Sequence, residues 1–282
     1  MVQWYPGHMA KAKNILTENL KLTNLVIEML DARIPASSRI RELEKITRDI
    51  ERIIILNKRD LANPDITAKW VEYFQDNGYR SLALDSKKGT DWKYLVRALD
   101  DFKRELEKKS RPETTLKVMI IGAPNVGKSA LINCLAGRKA APTGSKPGVT
   151  RGGKWINITD NIQLFDTPGI LKPKFEKEET GYKLFITGAI ADNAADTELA
   201  AYKLLDFIKN TGPEVLQNNY DIQAMANIHC YDLLAKIGRK RGCLMSGGKV
   251  DRLRTAELLL KDYRSGKLGQ ISLEKPEDVQ DD

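Results

Sequence analysis

Residues 116–135 read LKVMIIGAPNVGKSALINCL. Leu116 to Ile121 is a short, apolar, partly β-branched run, which predicts a buried strand. It breaks at Gly122, and Gly122-Ala-Pro-Asn-Val-Gly-Lys128-Ser129 fits the pattern G-x-x-x-x-G-K-[ST] without a mismatch. Val126, Ala130, Leu131 and Leu135 then recur at helical spacing. Strand, glycine loop and helix in this order make a phosphate cradle. Glycines let backbone N–H groups turn inward onto phosphate oxygens, and the helix N-terminus adds the positive end of its dipole. In such a loop Lys128 reaches the β- and γ-phosphates and the Ser129 hydroxyl holds Mg²⁺.

Working outward from the loop, residues 24–31 (NLVIEMLD) predict a strand that ends at Asp31-Ala-Arg-Ile-Pro35, where the proline stops the element. A helix is expected over 39–49. A second buried strand follows over 52–56, ending on Asn57-Lys58-Arg59-Asp60. A helix over 65–77, a strand over 81–84 ending on Asp85-Ser86-Lys87-Lys88-Gly89, and a helix over 91–108 complete the first half. Residues 103–115 form a polar connector into the loop strand. Beyond the loop helix come Pro147-Gly148-Val149-Thr150, two amphipathic strands (154–158 and 161–165), and Asp166-Thr167-Pro168-Gly169. This alternation predicts an α/β fold with a doubly wound, mainly parallel sheet. Each motif follows a strand, so each falls on the rim where such sheets bind ligands. The polar run 172–181 marks a boundary, giving domains over 1–175 and 176–282. The second is read as all-α, with helices near 182–192, 196–210, 222–236 and 251–264 and a frayed acidic tail from Glu274 to Asp282.

Composition narrows the functional classes. The chain has 282 residues, 30% charged and 41% hydrophobic, and no apolar run approaches a membrane span. The first residues lack the apolar core and small-residue cleavage site of a signal peptide. Three widely spaced cysteines show no metal spacing and read as reduced thiols. A cytoplasmic monomer with no membrane partner is therefore expected. The net charge of +8 is uneven: residues 236–267 hold ten Lys/Arg against three acids. That run suits either a solvated surface or a polyanion.

The remaining motifs specify which nucleotide. A carboxylate at Asp60 can accept from paired N1–H and N2–H₂ donors, an edge that guanine presents and adenine does not. Asn57 can bind N7 and brace a neighbouring loop, while the Lys58 stem can lie over the base. Asp166 supplies a carboxylate near Mg²⁺, acting through water, and the Gly169 N–H can report the γ-phosphate. Thr150 is the second Mg²⁺ ligand when its loop closes. Loops ordered by γ-phosphate and Mg²⁺ form a two-state switch.

Together these motifs resemble the translation-factor-related GTPases in a changed order. NKRD (57–60) and DSKKG (85–89) precede GAPNVGKS (122–129), Thr150 and DTPG (166–169). The chain thus resembles a circularly permuted P-loop GTPase, a rejoining that a doubly wound domain tolerates because its termini are neighbours. WYPGHM (4–9), DARIP (31–35), NKRD, GAPNVGKS, PGVT (147–150), DTPGI (166–170) and RSGKLG (264–269) resemble the ribosome-biogenesis GTPases of the YlqF/RbgA type over almost the whole chain.

The resemblance implies a GTP hydrolase, with GTP/GDP and Mg²⁺ as ligands, that assists assembly of the large ribosomal subunit. It also implies that the helical C-terminal domain binds ribosomal RNA. The expected nucleotide contacts are Asn57, Lys58, Arg59, Asp60, Asp85, Ser86, Asn125, Val126, Gly127, Lys128, Ser129, Ala130 and Gly169. Ile170 stands where many signalling GTPases place a water-orienting glutamine. The resemblance therefore offers His8 as a catalytic group beside Lys128 and Thr150, and Asn125 as a K⁺ ligand. Asp85-Ser86-Lys87 replaces Ser-Ala-Lys, a loop in which a backbone N–H does the work. A rival reading is a GTP-gated RNA-binding placeholder whose hydrolysis is incidental.

Overall fold

The computed structural model describes residues 15–40, 46–86, 91–109, 115–137, 154–167, 177–191, 194–222 and 228–279. His8, Lys87, Thr150, Gly169 and Ile170, with the WYPGHM and PGVT segments, lie outside these residues. A six-stranded sheet forms the first layer system: β1 (Leu25–Asp31), β2 (Glu51–Asn57), β3 (Arg80–Ala83), β4 (Leu116–Gly122), β5 (Lys154–Thr159) and β6 (Ile162–Asp166). Their order is β3-β2-β1-β4-β6-β5. All neighbours are parallel except the β5–β6 hairpin, so β1, β2, β3, β4 and β6 end on the same rim.

β1 is buried at every position, as a central strand covered on both faces must be. Its Leu25, Ile27 and Met29 join Val118 and Ile120 of β4 in one core, with Leu95, Leu99 and Phe102 from helix Trp92–Lys109. On the opposite face, Leu30 packs with Ile54, Leu56, Trp70 and Phe74, the aromatics coming from helix Pro64–Asp76. That helix starts where Asn63 accepts hydrogen bonds from the Asp65 and Ile66 N–H groups, with proline at its first turn.

β1 ends at Asp31, as expected, and Pro35 then opens a helical turn, Pro35–Ser38, because proline's missing N–H costs nothing at a helix start. The chain is already extended at Arg39 (φ −73°, ψ 142°), so the expected helix over 39–49 does not begin there. Residues 41–45 lie outside the described residues.

The C-terminal region is helical: α5 (Glu178–Thr187), α6 (Thr197–Thr211), α7 (Glu214–Tyr220), α8 (Cys230–Lys240) and α9 (Arg252–Arg264), counting Pro35–Ser38, Pro64–Asp76, Trp92–Lys109 and Lys128–Leu135 as α1 to α4. The expected helix over 222–236 starts late, at Cys230, and α7 precedes it, leaving the αL residue Asp221 (φ 53°) between them. Among the described residues, no helix is long and apolar enough to cross a membrane. The core of this region extends past its own boundary to include Ile34 and Ala123 of the sheet domain.

The expected frayed tail is also corrected, as far as Val279. The Trp70 indole N–H donates to Glu274 O at 3.2 Å, the Leu273 N–H donates to Arg33 O at 2.8 Å, and the Glu274 carboxylate is buried against Ser37 and Lys183. An acidic sequence frays only where its charges stay in water. Here a buried carboxylate meets a cation and two donors.

Candidate nucleotide-binding site

The phosphate loop occupies the turn between β4 and α4. Gly122 (φ +152°) sits so close to Met29 O that a Cβ there would collide with backbone. Gly127 (φ +112°) is likewise closed to a side chain, because a Cβ would run into the Asn57 side-chain amide. Both glycines are required by close approach as well as by backbone conformation. Asn125 takes the left-handed conformation (φ 57°), which asparagine tolerates better than most residues.

Lys128 is folded over its own loop, its Nζ donating to Gly122 O at 3.0 Å and Ala123 O at 2.9 Å. Burial drives its pKa down to about 8, and the neighbouring Asp166 carboxylate offsets part of that fall. Asp166, at the end of β6, is pushed up by burial against the opposing pull of Lys128 and Ser129. Ser129 Oγ lies 3.5 Å from Asp166 Oδ2, and Asp166 Oδ1 is buried with no hydrogen-bond partner among the described residues. A hydroxyl and a carboxylate with an orphaned buried oxygen make the donor set that a hard cation takes. The residues present therefore fit Mg²⁺. Thr167 fixes this strand end by donating to Ile120 O at 2.6 Å.

The NKRD loop starts at the end of β2. Asn57 Nδ2 donates to Val126 O (2.7 Å) and Ser86 Oγ (3.1 Å), and the Ser86 N–H donates to Asn57 Oδ1 (2.9 Å). One buried amide thus ties the phosphate loop to the base loop after β3. The neighbouring Asp85 N–H donates to Asp91 Oδ2 at 3.0 Å, and Arg59 pairs with the same carboxylate at 2.8 Å. Lys58 is left-handed (φ 62°), with its Nζ 3.0 Å from Asp31 Oδ2. Asp60 stands in the single turn Arg59–Leu61, and its carbonyl accepts from Gln270 Nε2 at 3.3 Å.

Asn57, Lys58, Arg59, Asp60, Asp85, Ser86, Asn125, Val126, Gly127, Lys128, Ser129, Ala130 and Asp166 thus share one rim of the sheet. His8, Thr150 and Gly169 lie outside the described residues. Three further side chains complete the rim. Asp91 organises both Arg59 and the base loop, while Asp31 and Arg33 form a bidentate pair (2.9 and 2.8 Å) behind Lys58. The sequence carried only part of the signal for Asp31, an acid at a strand end in a motif; its place directly beside Asn57 comes from the sheet register.

The Asn125 amide donates to Gly188 O at 2.8 Å, just past α5. Arg33 Nη2 donates to Thr187 O at 3.3 Å, and Arg264 donates to Ile186 O and Phe185 O at 3.1 and 2.7 Å. Four successive carbonyls at the end of α5 are thereby capped by side chains, two of which come from the nucleotide-site rim.

Residues 117–224 match the family model described as "50S ribosome-binding GTPase". The chain is 42% identical to the ribosome biogenesis GTPase A of Priestia megaterium, over 99% of this chain and 98% of that protein. It is 32% identical to its counterpart in Thermotoga maritima, over 99% and 96%. Among solved structures, the GDP-bound structure of TM YlqF matches with a TM-score of 0.67 at 28% identity, covering 93% of this chain and 99% of that one. The GNP-bound YlqF from T. maritima matches equally well, covering 95% and 100%. With a permuted order of motifs, one rim that gathers those among the described residues, and identity running the length of both chains, the protein belongs to the ribosome biogenesis GTPase A family.

Proposed function

We propose that this chain is a GTP hydrolase that acts in assembly of the large ribosomal subunit and couples its nucleotide state to its hold on ribosomal RNA. The observation that carries the reading is the Asn57 amide, which fastens the guanine loop, the base loop and the phosphate loop into one preformed site. Phosphoryl transfer to water in such sites depends mainly on positioning and electrostatics. Lys128 leaves its own loop carbonyls for the β- and γ-phosphates, and Asp60 accepts from the guanine edge. Ser129 and Thr150 would hold Mg²⁺, with Asp166 supporting it through water. When bound, the ion neutralises charge on the phosphates. Asn125 offers Oδ1 to K⁺, and His8 orients the attacking water in place of a side chain that Ile170 cannot supply.

The RNA surface is assigned to α8, α9 and the turn between them. Arg239, Lys249 and Arg254 are exposed there, and so are Leu244, Met245 and Leu253. Arg252 lies over the exposed Tyr231 ring, 3.1 Å from its centroid, a pairing suited to stacking on unpaired bases. Arg264 is turned inward onto α5, so part of the basic run is structural. Contact between the two regions at Asn125–Gly188 and Arg33–Thr187 gives the nucleotide site a direct route to that surface.

The test is GTP turnover with and without purified large ribosomal subunits, in K⁺ and then in Na⁺. Strong stimulation by subunits, lost in His8→Ala, is expected. Unchanged turnover with nucleotide-dependent subunit binding intact would favour the placeholder reading.

A further inference from the structure

Asp31 closes the central strand β1 and is in register with Asn57 of β2. Its carboxylate is saturated. Oδ1 accepts from the Arg33 N–H (3.1 Å) and Arg33 Nε (2.9 Å), and Oδ2 accepts from Arg33 Nη2 (2.8 Å) and Lys58 Nζ (3.0 Å). Burial alone would raise its pKa, but the Arg33 and Lys58 cations outweigh that and hold it well below the usual carboxylate range. Asp31 is therefore an anion throughout the working pH range. Arg33 is itself locked, since its guanidinium lies 5.0 Å from the Tyr263 ring centroid and its backbone carbonyl accepts from Leu273. The flexible four-carbon stem of Lys58 thus ends on a fixed, buried charge.

We propose that Asp31 is a positioning residue for guanine recognition. It draws the Lys58 ammonium to one side so that the stem lies flat where the base stacks, and Arg33 holds Asp31 in turn. This rests on the guanine reading of residues 57–60. An ordered lysine contributes its apolar stem to the base at little further entropic cost. The same lysine without Asp31 would sample many rotamers and cover the base only part of the time.

A double-mutant cycle on the full chain separates positioning from mere scaffolding. Asp31→Asn and Lys58→Met are made singly and together, and GDP affinity is measured by displacement of a fluorescent GDP analogue. Each single change is expected to raise the Kd about tenfold, and the pair to raise it no more than the larger single change, because both remove one interaction. A pair that multiplies to about a hundredfold, or an Asp31→Asn variant that binds like the parent, overturns the proposal. Should Asp31→Asn fail to give the parent's circular dichroism spectrum, Arg33→Lys replaces it. The expected result is then a rise of about threefold to fivefold that disappears beside Lys58→Met, and a rise that persists overturns the proposal. ADP competition in the unmutated protein reports on the guanine reading separately. Equal affinity for ADP and GDP would overturn that reading and this proposal together, whereas additive mutants with GDP preference intact overturn the proposal alone.

Discussion

The two ends of the nucleotide site are built on opposite principles. At the guanine end several polar and charged side chains already hold one another. Asn57 meets both neighbouring loops, Asp31 holds two cations, and Asp91 holds Arg59 and the Asp85 N–H. At the phosphate end the groups are held against their chemistry. Lys128 is a buried ammonium resting on carbonyls, and Asp166 keeps one buried oxygen without a partner among the described residues. The difference is that between recognition and catalysis. A base must be selected by a rigid edge, whereas a transferring phosphoryl group needs charges that gain more from the transition state than from the resting protein.

Lys128→Ala should separate the two ends most sharply. We expect kcat for GTP to fall by about 10²–10³-fold in a steady-state phosphate-release assay, the usual loss when one preorganised donor is removed. A loss of less than tenfold would mean that the lysine is not where developing charge is stabilised.

Asn57→Ala attacks the guanine end, leaving the Val126 carbonyl and the Ser86 N–H without their partner. Affinity should drop by roughly 10–100-fold. By equilibrium titration the loss should be equal for GDP and GTP, since the Asn57 contacts run to Ser86 and Val126 rather than to Lys128, Ser129 or Asp166. A loss confined to GTP would merge the two ends.

The pH dependence should belong to the phosphate end alone. The free-protein pKa of Lys128 is about 8, below the ordinary 10.5, and phosphate favours the charged form. Binding above pH 8 therefore takes up a proton, and affinity falls as pH rises. The expected decrease is about fivefold from pH 8 to 9, flattened in Lys128→Met.

The smallest effect should come from Gly266→Ala. Its φ is +80°, and an added Cβ would lie 2.7 Å from Leu61 Cδ2, pressing on the turn that carries Asp60. A backbone cost of about 1 kcal/mol should appear as a twofold to fivefold faster GDP release in stopped flow, with hydrolysis at saturation little changed.

The two ends also differed in how far the sequence disclosed them. The phosphate loop and the NKRD loop were legible because a ligand's chemistry dictates residue type and spacing within a few positions. The sheet was legible too, since β1 and β4 are mostly apolar, interrupted only by Glu28 and Asp31 in the one and Lys117 in the other, and follow or precede turn residues. What stayed hidden depends on contacts across the chain. Asp31 and Arg33 acquire meaning from a β1–β2 register and from Thr187 and Tyr263, more than 150 residues away. Glu274 looked like solvated tail because nothing local announces Ser37, Trp70 and Lys183 as its neighbours. The turn Pro35–Ser38 stayed hidden because a proline that follows one element can equally begin the next.

Ile34 and Ala123 belong by chain position to the sheet domain, yet they are buried in the core of the C-terminal helices. A core shared in this way leaves no seam along which the two halves could come apart independently. Heating the protein should therefore give one calorimetric transition rather than two, with the van't Hoff enthalpy equal to the measured one. A ligand that binds only the first half then stabilises the second by mass action, and GDP should raise the melting temperature of the distant helices as much as that of the sheet. Cutting the chain near residue 175 would not isolate a GTPase, because it would leave Ile34 and Ala123 facing water.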